Sequence, residues 1–508
     1  MAVETMTNRR RTAVPRPRRG LVAVALSLGL LLGPGGRAAA GNDADRVAQR
    51  YAAEAPGLPG IPNAAGDTGT SVAPVQSTAG RSYALGDCVA RALAANPQMQ
   101  SVRAAFTGTA ASRSQALANF GPVGTVAYTF QRTDTRGHVT KTLTTAQGNV
   151  IAHGTTGRWQ NAYSLELQAT QPLFTGFNLL STYQKATLNA DYAAANIRST
   201  ELSLVKAVQE AFLTLLQARA NARSDKDAVI RLAQQYKVAQ AYYDEGIKAH
   251  LDMLQAEADL ATAEQNLLAA ENAVRIQSAR LNSLLNLPLD QETAYVGELA
   301  YIPFSKSLED CLALAYRQRP DLTMGLKSVQ MAERSVRIAA SPLYPQVQAQ
   351  ATETWKGNQL DLRVKDLSGR TVPEERSLTL SATLRAWDWG STIFATRGAR
   401  ENVKKLQADL ASLRLDAGVE VKTAYLNIQD AAKRIAVART AVEAAREGYR
   451  AAVARYQEQV GTNTEVLDAQ SRLSTAETDL TQALTDYQTA LAALYAAIGM
   501  KNPTLAAQ

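Results

Sequence analysis

The chain contains one unit twice, and this duplication constrains its fold more than any other feature. The matching positions keep their order: Cys88 and Cys311 or Pro97 and Pro320 at an offset of 223, QPLFTG (171–176) and RAWDWG (385–390) at 214, Tyr243 and Tyr456 at 213. Because the offset changes only between matching blocks, the two copies differ mainly in loop length. Two long repeats predict a protomer with pseudo-twofold symmetry, whereas solenoids need many short repeats.

Each copy ends in a long segment with helical periodicity. No proline occurs between Pro172 and Pro288, or between Pro373 and Pro503. Apolar residues such as Val421, Ile428 and Ile435 recur with alternating steps of three and four, which is the coiled-coil period. From 176 to 246 the pattern predicts a nearly continuous helix of ~100 Å, at ~1.5 Å per residue. A second helix returns in each copy, so each repeat is predicted to end in a long helical hairpin.

Four alternating segments before the hairpins predict β-strands, two in each copy: 122–131, 159–170, 346–355 and 377–387. Each has about ten residues with one apolar and one polar face, as in a tilted transmembrane strand that lines a polar lumen. The predicted aromatic girdle consists of Trp159, Tyr163, Trp355, Trp387 and Trp389. The segments 132–158 and 356–376 are predicted to be exposed hairpin loops. A soluble antiparallel sheet with one wet face shows the same alternation.

Four strands leave a membrane sheet incomplete. Small closed barrels need about eight strands, and an open sheet edge does not face lipid. One protomer therefore cannot form a pore by itself. Two copies would supply eight strands and three would supply twelve, and the strand pattern does not choose between them.

The first 40 residues predict a secretory signal peptide, with clustered arginines, an apolar run at 21–32 and small residues at 38–40. This segment holds seven arginines and one acid, so the formal charge of +8 falls to about +2 after cleavage. The charge therefore gives no reason to expect a nucleic-acid partner. The predicted domains are the signal peptide 1–40, a flexible N-terminal arm 41–80, repeat 1 at 81–300, repeat 2 at 301–500 and a C-terminal tail 501–508.

Several motifs resemble the TolC family of outer-membrane efflux and type I secretion channels, over roughly residues 81–500. They are ALAANPQM (92–99), QPLFTGFN (171–178), GIKAHLDMLQAEADL (246–260) and VGTNTEVLDAQSRL (460–473). The second copy departs from the pattern, with WDWG in place of PLFTG. The resemblance implies a homotrimer with a twelve-stranded barrel in the outer membrane of a Gram-negative cell and a periplasmic α-barrel of about twelve helices. It also implies a periplasmic adaptor and an inner-membrane transporter as partners.

The turns of the two hairpins carry the candidate functional residues. In the resemblance, Asp252, Glu465 and Asp468 fall where the family narrows its tunnel and places acidic rings. Acids at a helix start also favour the positive end of the helix dipole, without any role in a pore. A basic lock residue of some family members is absent, with Asn463 nearby. The turns 244–252 and 458–466 are predicted to dock the adaptor through Gly246, Ile247, Val460, Gly461 and Thr462.

The sequence shows no enzymatic motif. P-loop, GxSxG, HExxH and CxxC patterns are absent, and the chain has only three histidines, so no catalytic residue, cofactor or metal site is predicted. Cys88 and Cys311 occupy equivalent helical positions and are predicted to be small buried side chains and not a disulfide. Two rival classes are a periplasmic adaptor, which would need a lipoyl-like β-domain split around one hairpin, and a structural coiled-coil protein without a pore.

Overall fold

In the computed structural model, the backbone is described for residues 82–145, 148–357, 359, 360, 362 and 374–502, and side chains for the same residues except 135–158. The predicted signal peptide, the predicted N-terminal arm and most of the predicted C-terminal tail lie outside the described residues. The domain boundaries around them remain predictions.

The elements follow the same order twice, which confirms the duplication. The first copy contains β1 (Ser82–Tyr83), α1 (Leu85–Ala95), α2 (Pro97–Ala118), β2 (Val123–Thr145), β3 (Gly148–Thr175), α3 (Asn178–Asp244) and α4 (His250–Leu284). The second contains β4 (Ala294–Tyr295), α5 (Leu308–Gln318), α6 (Pro320–Ala340), a 3₁₀ turn (Ser341–Leu343), β5 (Gln346–Gly357), β6 (Glu375–Thr383), α7 (Ser391–Gln457) and α8 (Asn463–Ile498). The fold is mainly helical with one four-stranded sheet, as predicted.

The short helix predicted at the start of each repeat is two helices, divided before a proline. Proline lacks the N–H that would continue the helix and disfavours helical geometry in the residue before it. Asn96 caps α2 by accepting from the Gln98 N–H at 2.8 Å, and it donates to the Leu284 carbonyl at 3.0 Å. In the second copy, Arg319 occupies the same place and donates to the Ala497 carbonyl at 3.0 Å. Both side chains thus fasten a short-helix break to the end of a long hairpin.

The long helices confirm the coiled-coil prediction. Helices α3 and α7 each have 67 residues, and α4 and α8 have 35 and 36. Along α7 the buried apolar positions follow the predicted heptad: Val421, Ile428, Ile435 and Val442. Cys88 packs against the α3–α4 hairpin and Cys311 against the α7–α8 hairpin, each within the apolar cluster of its own copy. Each repeat therefore has its own core where the short helices meet the hairpin.

The sheet has the order β2-β3-β5-β6, and all neighbouring strands are antiparallel. Strands β3 and β5 join the two copies, while β2 and β6 are edges. The prediction of a loop at 132–158 was wrong, because the β2–β3 ladder continues to the pair Thr145–Gly148. The fourth strand also differs from prediction: β6 ends at Thr383, and 384–388 pair with no strand in the described part of the chain.

Both strand-to-helix turns place two successive residues in the left-handed backbone region. They are Gly176 and Phe177 in the first copy, and Trp389 and Gly390 in the second. The structural offset here is therefore 213, not the 214 obtained by matching the glycines, and the glycine and the aromatic residue have exchanged places. The residue before each pair also caps the following helix, because Thr175 Oγ1 accepts from Leu179 N at 3.2 Å and Asp388 Oδ2 from Thr392 N at 3.0 Å.

The two cysteines are free and buried, which confirms the prediction for them. Burial raises the pKa of the Cys88 thiol to about 12 and also raises that of Cys311. At pH 8 a thiol with such a pKa is ionised in about one molecule in 10⁴. We expect maleimide labelling of the native protein to be negligible and to reach two thiols per chain after denaturation, measured by intact mass. Rapid labelling of the folded protein would contradict this burial.

Candidate functional site

The four-stranded sheet has one polar and one apolar face. One cross-strand row joins Thr125, Gln168, Thr352 and Ser377. Another row, three residues further along the strands and on the opposite face, joins Tyr128, Leu165 and Trp355. Large apolar side chains on the second face are exposed in the single chain, including Val126 at 72% and Leu378 at 83%. Such an uncovered apolar face needs a partner or a lipid environment.

The predicted girdle residues fall into two groups at opposite ends of this sheet. At one end, the Tyr163 ring lies 4.8 Å from the Phe130 ring, and the Arg132 guanidinium lies 4.9 Å from the Trp159 ring. Trp355 is in the same part of the sheet, paired with Leu165. At the other end, Trp387 and Trp389 follow β6 with ring centroids 5.7 Å apart. Apolar residues of β5 and β6 occupy the span between the two groups.

The outer end of β5 and β6 also carries ion pairs. Arg376 donates to Glu353 at 2.6 Å and lies 3.2 Å from Glu374, while Lys356 donates to Glu375 at 2.9 Å. Charged and aromatic side chains therefore share one end of the sheet, and the middle of the apolar face is free of them at Ala351, Leu378 and Leu380. No helix in the described ranges combines the length and apolarity needed to cross a bilayer.

The hairpin tips have the same backbone in both copies. Gly246 and Gln459 are the left-handed residues of the two turns, with φ of 75° and 62°. The next residues, Ile247 and Val460, donate to the carbonyls of Tyr242 and Arg455 at 2.8 and 3.0 Å. Their side chains are 42% and 68% exposed. Two exposed aliphatic side chains thus occupy equivalent positions at the tips.

Of the other predicted turn residues, Thr462 caps a helix and Gly461 packs closely. Thr462 Oγ1 accepts from the Glu465 N–H at 3.2 Å at the start of α8. A Cβ on Gly461 would lie 3.1 Å from the Arg455 Cβ and from the Tyr456 nitrogen. Both residues therefore have a clear role in forming the turn itself.

A buried polar contact joins the two hairpins at their tips. Asn463, at the start of α8, is fully buried; its Oδ1 accepts from Gln235 Nε2 of α3 at 2.8 Å. Its Nδ2 donates to the Asp252 carbonyl of α4 at 2.9 Å. Asn463 therefore connects α8 to both helices of the first hairpin. We call this set of three residues the tip clasp. Sequence reasoning noted Asn463 only for the missing basic residue and missed Gln235, because a lone glutamine in a helix carries no signal.

Tyrosines pack next to the tip clasp. Tyr456 is fully buried, and its ring centroid lies 5.7 Å from that of Tyr242. Burial raises the pKa of Tyr456 to about 12, with a further contribution from the charge of Asp252. The Tyr242 hydroxyl donates to the Gln457 carbonyl at 3.2 Å. Polar and aromatic contacts therefore contribute to holding the tips, beside buried aliphatic residues such as Val466 and Ala256.

The predicted acidic residues lie at the tips in two different environments. Asp252 and Glu465 are the third residues of α4 and α8, so they are equivalent positions of the two copies. Glu465 is 3.6 Å from Arg455. Asp468 is exposed and lies close enough to Asp259 to affect its ionisation: burial raises the pKa of Asp259, and the charge of Asp468 raises it further. Asp259 was not predicted, although it lies within the GIKAHLDMLQAEADL motif (246–260) of the first turn.

A series of polar contacts runs along α3 on both sides of the tip clasp, with partners on α8 and, nearest the turn, at the last residue of α7. The contacts are Gln217 with Gln482, Ser224 with Glu477 at 2.8 Å, Arg231 with Gln470 at 2.8 Å, Gln235 with Asn463 at 2.8 Å, and Tyr242 with Gln457 at 3.2 Å. The partners on α3 follow one another at steps of seven or four residues, so they share one face of the helix. We call this the polar seam. Among the described side chains, no cluster of three or more His, Cys, Asp or Glu could hold a metal ion.

Removing the Asn463 side chain should loosen the tips. Asn463→Ala leaves the Gln235 amide and the Asp252 carbonyl without their partner, at a cost of about 1–3 kcal/mol. We expect faster amide exchange in residues 235–252 and 457–470, measured by hydrogen–deuterium exchange. The matched control is His250→Ala, the exposed counterpart of Asn463 in the first copy. Equal exchange in both variants would show that the tip clasp does not hold the tips.

Comparisons with known proteins agree with this architecture. The model of the outer membrane efflux protein family matches residues 88–287 and 312–500. The outer-membrane channel OprN is 19% identical, with a TM-score of 0.68, over 82% of this chain and 89% of that one. VceC of Vibrio cholerae is 19% identical at 0.67, covering 82% and 97%, and CmeC of Campylobacter jejuni is 15% identical at 0.71, covering 82% and 86%. A comparison with curated protein sequences gives no match.

Proposed function

Because the chain belongs to the outer membrane efflux protein family, we propose that three copies form one channel that exports small molecules across the outer membrane. The outer-membrane location follows from the family. The number of copies, the cargo and the partner proteins are the proposal, and the sheet and the hairpin tips supply its support.

The observation that carries the proposal is the form of the sheet. Its four strands have one polar face, one exposed apolar face and two open edges. In a bilayer the unpaired N–H and C=O groups of such edges need partners, so the sheet must close with strands from other copies. Three copies supply twelve strands, the number that the resemblance to the TolC family implies. The polar face then lines the lumen and the apolar face, bounded by the two aromatic groups, contacts lipid.

The hairpin tips are proposed to form the periplasmic aperture. In a threefold assembly Asp252 and Glu465 would alternate around the axis as six acids, with Asp468 and Asp259 one to two helical turns further along the helices. Like charges held around an axis attract cations. The tip clasp is proposed to hold the aperture closed in place of the basic residue that this chain lacks, since Asn463 lies between the two hairpins.

Docking of a periplasmic adaptor is proposed at the same tips. The supporting observation is that Ile247 and Val460 expose aliphatic side chains at equivalent places, where hydrophobic contacts with another helical hairpin could form. An inner-membrane transporter would then pass cargo through the adaptor into the tunnel. The fold offers no support for the rival classes, because strand pairs precede both hairpins and no lipoyl-like β-domain occurs among the described residues.

The acidic-ring proposal is tested by ion block. We expect purified channels in planar bilayers to be blocked from the tip side by divalent or trivalent cations. The triple variant Asp252→Ala, Glu465→Ala and Asp468→Ala should require a blocker concentration about tenfold higher or more, since it removes nine charges from a trimer. The matched control is Asp290→Ala, an exposed acid in the linker between the copies. Unchanged block in the triple variant would contradict the assignment.

The cargo is tested in cells that lack the gene. The efflux designation of the family supports small molecules, and the alternative is protein export by a type I system. We expect loss of the chain to lower the inhibitory concentrations of several unrelated toxic compounds and to leave the secreted proteins, measured by mass spectrometry of the medium, unchanged. Loss of one secreted protein with unchanged susceptibility would instead assign the channel to protein secretion.

A further inference from the structure

In the sheet of one chain, a seam joins the strands of repeat one to those of repeat two. This seam within the chain predicts the strand pairing between neighbouring chains. Within the chain, the second strand of copy one (β3) pairs with the first strand of copy two (β5). Among the residues that the structure describes, the second strand of repeat two (β6) has no partner on its outer side, and neither has the first strand of repeat one (β2). If a second chain completes the sheet, as the proposed function requires, β6 of one chain and β2 of the next would repeat the β3–β5 seam.

The register of that second seam follows from the offsets of the duplication. The in-chain hairpins relate β2 to β5 by 223 residues and β3 to β6 by 213, because Val123 pairs with Thr170 and Gln346 with Thr383. The in-chain seam pairs Gln168 with Thr352. Adding 213 to Gln168 gives Ser381, and subtracting 223 from Thr352 gives Thr129. The equivalent pair therefore joins Ser381 of one chain to Thr129 of the next chain. We propose that β6 of each chain pairs antiparallel with β2 of a neighbouring chain in this register, with Ser381 opposite Thr129.

The faces of the two strands agree with this pairing. On the apolar side it places Leu380 opposite Phe130, Ala382 opposite Tyr128 and Leu384 opposite Val126. On the polar side it places Thr379 opposite Gln131 and Thr383 opposite Ala127. A slip by one residue would put every apolar side chain opposite the polar face, which a membrane sheet does not tolerate.

Registers shifted by two residues also keep the apolar side chains on one face, and the charged residues distinguish the proposed register from them. Arg376 falls opposite Asp134, which joins unlike charges at the outer end of the seam. A slip by two residues in either direction would instead place Arg376 opposite Arg132 or Arg136. Like charges directly opposite each other destabilise a strand pair. The duplication and the charge pattern therefore select the same register independently.

The second seam also explains the early end of β6. Residues 171–175 are in strand conformation because β5 pairs with them, whereas their counterparts 384–388 have no strand partner among the described residues of the single chain. The neighbouring β2, with its free edge at 123–126, would supply that partner. The two seams differ at the turn: Gly176 faces Tyr344 within the chain, while the corresponding residues are Trp389 and Gly121. The small residue lies on the β3 side of the turn within the chain and on the β2 side between chains, so the two seams need not have the same geometry there. The predicted register therefore applies to the pairs from Leu384 with Val126 to Arg376 with Asp134.

Disulfide trapping tests the register in the full-length protein in outer membranes. Two cysteines form a disulfide only when their Cα atoms are about 4.4–6.8 Å apart, a distance that directly opposite residues meet and diagonal ones exceed. The double variant Ser381→Cys, Thr129→Cys should give a covalent ring of chains on non-reducing gels after mild oxidation. Each single variant should stay monomeric in SDS. The buried native cysteines do not interfere.

Two off-register controls lie on the same polar face. Ser381→Cys combined with Ala127→Cys or with Gln131→Cys should give less than about a tenth of the linked product. Stronger linking in either control than in the predicted pair would overturn the register. If the first pair fails to reach the membrane, Thr379→Cys with Gln131→Cys tests the same register. Absence of all links in a conducting oligomer would overturn the inference alone, whereas a non-conducting monomer would overturn the proposed function.

Discussion

The hydrogen-bonding groups at the two open edges of the sheet are the constraint on which the rest of the structure depends. Backbone N–H and C=O groups without partners are costly in lipid, so a four-stranded sheet with an apolar face is stable in a bilayer only when other strands complete it. The chain supplies everything else for one segment of a pore: a polar face, an apolar face and aromatic groups at both ends. The edges make the single chain an incomplete unit.

The helices extend the same unit away from the membrane with a different kind of packing. Within each hairpin the helices share an apolar heptad seam, which is continuous and buries aliphatic side chains such as Ile428 and Ile435. Between the hairpins, α3 contacts α8 and the end of α7 through the hydrogen bonds of the polar seam. Apolar seams of this kind keep their register, and an exposed hydrogen bond such as that of Tyr242 with the Gln457 carbonyl can exchange with water at a small net cost. The buried tip clasp cannot exchange with water in this way, so the contact between the hairpins depends most on the tip clasp.

The sequence predicted the features that depend on local periodicity and missed those that depend on a partner across space. The long helices and the four strands followed from spacing alone, and the equivalence of Cys88 and Cys311 followed from the repeat. The end of β6 was missed because residues 384–388 follow a segment of alternating sequence but pair with no strand among the described residues. The ladder at 132–158 was missed because its Thr- and Gly-rich sequence is also typical of loops. The partner of Asn463 was missed because Gln235 is 228 residues away and carries no pattern.

Divergence between the two copies gives the proposed assembly two kinds of contact between hairpins. Applying the 213-residue offset to the polar seam gives the pairs that α7 and the first hairpin of a neighbouring chain would place together. Four have their partner on α4: Asp430 with Ala269, Val437 with Glu264, Ala444 with Glu257, and Gly448 with His250. The fifth joins Arg455 to Asp244 at the end of α3. Only the last pair joins two complementary polar groups. The tip clasp has no counterpart there, because Gly448 has no side chain to donate. In a ring of six hairpins built from three chains, hydrogen-bonded seams within each chain would therefore alternate with poorly bonded seams between chains. The backbone around the aperture would be nearly sixfold symmetric, but the contacts that hold it closed would repeat only three times.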